Sequence, residues 1–153
     1  MAALIPPQET LQWHHTPEVV LRLTREAIAE YRAAEDRVAA FASEECTFGS
    51  VSIVPISFVS KSQSIIGPLE FYQNVSTSQE LRDASTEAES LIRDFRTDSS
   101  IRLDVFRAQQ AAQKKIKQSG KTLSLEEQRL ADKVISDGAR VGLALPDAKR
   151  QKL

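Results

Sequence analysis

The chain has 153 residues, enough for one domain with a sizeable core, and its 41% hydrophobic and 27% charged residues exclude a disordered polar chain. A formal net charge of -1 excludes the basic excess that marks nucleic-acid binders and gives no general attraction to anionic membranes. No stretch approaches the roughly 20 apolar residues of a spanning helix, and MAALIPPQET lacks the basic start and long apolar run of a secretory signal.

The single cysteine, Cys46, has no partner for an internal disulfide, which agrees with a reducing, cytoplasmic setting. Asn74-Val75-Ser76 spells a glycosylation acceptor, but without a secretory route it reads as the lead into a helix.

Residues 1–15 read as an irregular arm, since Pro6-Pro7 blocks a regular helix and the polar residues after it carry no period. Trp13 is expected to peg the arm onto the helices, with ligand stacking as the less favoured alternative. Thr16-Pro17-Glu18 combines a capping hydroxyl, a first-turn proline and an acid at the positive dipole end, so a helix is expected to start there. Val20, Leu23, Ala27, Tyr31, Ala34, Val38 and Phe41 then recur at helical spacing as one buried stripe. The charged residues between them, Glu35 and Asp36 included, read as a solvated face.

Residues 42–50 break the period. VSIVPISFV is rich in β-branched residues, but Pro55 would remove a donor from a central strand, whereas a helix starting near Phe48 to Ser52 tolerates it. A helix is therefore expected, with a kink at Gly67-Pro68. Ser76 to Gln79 forms a capping-box pattern for the next helix, lined by Leu81, Ala84, Ala88, Leu91, Ile92 and Phe95. A further helix carries Ile101, Val105, Ala108, Ala112 and Ile116 inward and is stopped by Gly120. Lys114, Lys115 and Lys117 near its end complement the exposed carbonyls, a simpler account than an anion patch.

Ser124-Leu125-Glu126-Glu127 is a second capping box, opening a helix with Leu130, Val134 and Val141 inward and Gly142 as its left-handed terminator. Leu145-Pro146-Asp147 starts one more helix, which the chain carries for only about two turns, so the C-terminus reads as cut. Lys149, Arg150 and Lys152 fit the first turns of a charged helix as well as a targeting cluster. The sum is an all-α bundle of about five or six antiparallel helices, an arm at 1–15 and a helical portion at 16–153.

Chemistry-bearing groups are sparse. The two histidines, His14 and His15, are adjacent and point apart from any regular backbone, so they do not form the two-histidine face of a zinc site. Cys46 lies in a Ser/Glu/Thr loop without an activating motif. There is no nucleophile elbow or glycine-rich phosphate loop, and acid pairs such as Asp83 and Glu87 belong on a solvated helix face. The expectation is no catalytic, cofactor-binding or metal-binding residue in this chain.

The choice of residues at Phe71–Phe106 says more than their period. FYQNVSTSQELRDASTEAESLIRDF resembles the N-terminal region of the thimet oligopeptidase, neurolysin and saccharolysin family of zinc metallopeptidases, in particular its fungal cytosolic members. Pieces in the same order agree: Trp13 to Pro17, Glu44 to Phe48, Ser99 to Phe106 and Gly142 to Pro146, while 51–67 diverges. The resemblance implies a segment of a longer, mostly helical enzyme that cleaves short peptides in a deep channel. In that family zinc is held by a His-Glu-x-x-His helix and a downstream glutamate in the second half of the chain, positions that do not exist here. The segment would then supply part of the non-catalytic channel wall and be inactive alone.

Its partner would be the remainder of a peptidase chain, met through an uncovered apolar face including Ile53, Phe58, Ile65, Ile66 and Leu69, which would leave the isolated chain marginal in stability. The rival reading is a stand-alone helical module that binds a partner, such as a full-length relative, through that face.

Overall fold

The computed structural model describes residues 11–119 and 122–150, with the side chains of 53–61, 147 and 150 outside the description. Among these residues the chain is an all-α helical bundle without strands. Its helices are α1 (Pro17–Ala39), α2 (Val54–Val75, preceded by a π-helical turn at Gly49–Ile53), α3 (Gln79–Ser100), α4 (Leu103–Ser119), α5 (Leu125–Arg140) and the single turn α6 (Asp147–Arg150). Residues 11–16 carry no regular element, while Pro6-Pro7 and Gly120 lie outside the described residues.

The chain folds as two compact units, each assembled from two separated stretches: Met1–Tyr31 with Ser57–Phe95, and Arg32–Ile56 with Arg96–Leu153. The first unit packs Val20 of α1 against Leu69 and Tyr72 of α2 and Ala84 and Ala88 of α3. The small residues matter: alanines at 84 and 88 let α3 approach α2 closely, and Ser85 between them is fully buried. Its Oγ donates to the Leu69 carbonyl at 2.6 Å and accepts the Gln73 N–H at 3.0 Å. Those two groups are an i, i+4 pair of α2, so Ser85 ties α3 to the backbone of α2 in the turn that follows Pro68. Leu69, expected on the uncovered face, is at 0% exposure in this core; Ile65 remains exposed, and the side chains of Ile53 and Phe58 lie outside the description.

The second unit packs Val38 of α1 with Cys46, Val51 and the α4 residues Val105, Ala108 and Ala112. Phe106, absent from the expected stripe, is buried and lies against Gly138 of α5. Three expected inward residues are exposed instead, namely Phe41, Ile101 and Val141, each of which sits just past a helix end where the helical period no longer applies.

Helix boundaries follow capping chemistry. The Thr16 hydroxyl accepts the Val19 N–H at the start of α1. The Ser124–Glu127 box is complete, with each residue's side chain bonded to the other's N–H at 3.2 and 2.8 Å. At α3 the cap is Ser78, whose hydroxyl accepts the Leu81 N–H, and not Ser76, which accepts the Ser78 N–H in the turn before. Gln79 accordingly reaches forward to Asp83.

Helix α2 is formed despite its β-branched residues, and the switch from π to α register falls one residue before Pro55, which has no N–H to give. Gly142, at φ 86°, closes α5: its N–H bonds the Ala139 carbonyl and the Leu143 N–H bonds that of Gly138.

Candidate functional site

The densest ionic cluster lies in the second unit, where α1 meets the α3–α4 junction. Glu35, expected on a solvated face, is only 5% exposed. It follows Ala34 and precedes Val38 by three, so it sits on the margin of the same buried stripe. Its Oε1 accepts the Ser99 hydroxyl, and its Oε2 lies 3.7 Å from Arg102 Nη1 without a hydrogen bond. Arg102 is held more tightly by Asp36 and Asp104, each at 2.6 Å.

Burial pushes the Glu35 carboxyl above its ordinary range; the Ser99 bond and Arg102 oppose this, while Asp36 and Asp104 add to it. The Arg102 hydrogen bond holds Asp104 below the usual carboxylate range. The cluster contains a hydroxyl, three carboxylates and a guanidinium, with the Ser99 hydroxyl bonded to the Glu35 carboxylate and, among the described residues, no imidazole beside it. It is built to clasp helices together.

The residues considered for chemistry are placed apart in function. His15 shares its Nδ1 with the Tyr72 hydroxyl at 2.9 Å, and its pKa is lowered first by burial and then by His14. Trp13 meets Phe71 and Tyr72 edge-on, with ring centroids 6.1 and 5.8 Å apart, but stays 42% exposed, so it leans on the first unit without being buried in it.

Cys46 is buried, its Sγ directed at the Ala42 carbonyl at 3.4 Å, and burial followed by Glu45 pushes the thiol up, away from reactive thiolate. Asp83 and Glu87 are exposed, and Glu87 pairs with Arg25 at 3.0 Å. No group of three histidine, cysteine or carboxylate side chains suited to a metal occurs among the described residues. None of the described helices is long and apolar enough to cross a membrane.

The α4 lysines are exposed, and Lys115 donates to the Glu44 carbonyl. Beside it a cavity of about 540 Å³ opens between the start of the π-helical turn, α4 and the approach to α5. Sequence reading missed both this cavity and the Glu35 cluster, since each depends on which helices meet. The spacing of Glu35 from Val38 was the available signal for the second.

No protein-family model matches the chain. It is similar to saccharolysin of Saccharomyces cerevisiae, with 26% identity over 150 residues. That alignment takes in 97% of this chain but only 21% of saccharolysin, so the chain spans about a fifth of the length of the curated relative it matches.

Proposed function

We propose that this chain is a helical, non-catalytic segment of a saccharolysin-like zinc oligopeptidase: part of the wall that restricts access to the peptide channel, inert without the catalytic portion. The reading is carried by the similarity to saccharolysin along nearly the whole chain, 97% of it, in a single collinear match. The all-α architecture agrees with the mostly helical family. The Asp83–Ala88 run, the most specific part of the resemblance, contains the small residues and Ser85 on which the α2–α3 packing depends.

In this reading zinc, the general base and the transition-state-stabilising groups all belong to the rest of the enzyme, and this segment's work is steric.

A chimera tests it: this segment replaces the matching fifth of saccharolysin, and hydrolysis of a short quenched fluorescent peptide is measured with and without chelator. Retained, chelator-sensitive cleavage by the chimera, with no activity from the 153-residue chain alone, is the expected result. A folded but inactive chimera contradicts it. If the isolated chain instead changes the activity of intact saccharolysin on mixing, the stand-alone binding module is the better reading.

A further inference from the structure

We propose that the cavity beside Cys46 is a binding site for a small amphipathic carboxylate, with the apolar body enclosed by the helices and the carboxylate at the ammonium of Lys115. The cavity holds about 540 Å³, within the range of small-molecule sites. Phe48, Ala112, Ile116 and Leu123 give it apolar walls, and the hydroxyl-bearing residues Thr47, Ser119 and Thr122 add polar groups. It lies wholly within the second unit.

The charges decide the class of ligand. Lys115 is exposed and is tied to the Glu44 backbone carbonyl, which fixes its position while leaving two of its three donors for another acceptor. Among the described residues it has no carboxylate at ion-pair distance.

The nearby acids are turned to other work. Glu127, which also lines the cavity, accepts the Ser124 N–H in the α5 capping box, at the positive end of that helix. Glu45 accepts the Ala42 N–H at 3.0 Å. Glu44 contributes its carbonyl to Lys115. Lys115 is the only cation among the described residues that line this largely apolar hollow, so it favours a ligand with one negative end and a hydrocarbon remainder, which meets the ammonium while Glu127 stays hydrogen-bonded at the positive end of α5.

Octanoate and its uncharged counterpart n-octanol test the idea on the full chain by isothermal titration at low ionic strength. Octanoate is expected to bind roughly fivefold more tightly than n-octanol, the upper range for a partly exposed ion pair, with the difference shrinking as salt is added. Lys115→Met should erase the difference and leave n-octanol unaffected. Ile116→Trp should fill the cavity and abolish binding of both; Thr122→Trp serves if that variant does not fold.

Equal affinity of the two probes, no binding of either, or binding that survives both tryptophan variants overturns the proposal. Since neither the probes nor the readout involves peptide cleavage, its failure is distinct from failure of the oligopeptidase reading.

Discussion

The hydroxyl of Ser85 lies 3.0 Å from the backbone nitrogen of Gln73, on a neighbouring helix, accepting its N–H while donating to the carbonyl of Leu69 four residues before it. The serine is at 0% exposure, so water cannot replace it. Ser85→Ala keeps the small volume but removes both bonds from a dry site. The expected cost is about 1–3 kcal/mol, as for other buried groups that lose their partner, read as a lower urea midpoint with an unchanged slope. A loss below the error of the measurement means that Gln73 and Leu69 simply pair with each other when the hydroxyl is gone.

Gly138 offers a test in which two effects have opposite signs. Helix propensity alone makes Gly138→Ala stabilising by about 1 kcal/mol. A Cβ at that position, however, falls 2.4 Å from Cδ2 and Cε2 of the buried Phe106 ring. Overpacking of this kind costs about 1–3 kcal/mol, so the variant is expected to be net destabilised. Phe106→Leu should cost less in the Gly138→Ala background than in the wild type, which a double-mutant cycle measures directly.

Glu35 sets a pH dependence contrary to that of an ion-paired carboxylate. Its folded pKa is raised, chiefly by burial, so the native state binds a proton more readily than the unfolded chain. The stability associated with the protonated form is complete below the unfolded pKa and is lost as pH rises through the folded one. In Glu35→Gln this site no longer titrates. The stability of the variant relative to wild type should therefore increase with pH across that window and level off above it. A flat difference shows that the Ser99 bond and Arg102 balance burial, and one that falls with pH shows that they outweigh it.

Cys46 should behave as an inert thiol. With 1% exposure and a pKa raised by burial and Glu45, it is expected to react with a thiol-specific disulfide reagent on the order of a hundredfold more slowly in the native chain than in urea. A native rate close to that of a free thiol would place it in an accessible, activated setting instead.

The helices were legible because their stripes and caps are local: Val20 to Val38 on α1, Ala84 to Phe95 on α3 and the Ser124–Glu127 box need only the neighbouring turns. Buried polar residues were not. Thr24 is fully buried because its own helix satisfies it, through a 2.8 Å bond to the Val20 carbonyl. Ser85 and Glu35 are buried because another segment supplies their partners, which no single-helix period records. The same reason applies to the cavity, whose walls come from three stretches of chain, and to Phe106, whose place depends on a glycine 32 positions later. Choosing Ser76 over Ser78 as the α3 cap reflects two serines with equal claim on sequence grounds.

Because each unit is assembled from two stretches separated in sequence, order of synthesis constrains order of folding. The first unit cannot close until residue 95 has been made, and by then residues 32–56, which belong to the second, are already waiting without their partners from 96 onward. During that interval Val38, Cys46 and Val51 lack the α4 surface that later covers them. Division between Ile56 and Ser57 splits both units, whereas division between Phe95 and Arg96 keeps both stretches of the first unit on one fragment and parts the two stretches of the second. Truncation from the C-terminus back to residue 96 therefore strips the second core while both stretches of the first stay on the chain, and truncation from the N-terminus through residue 31 does the reverse.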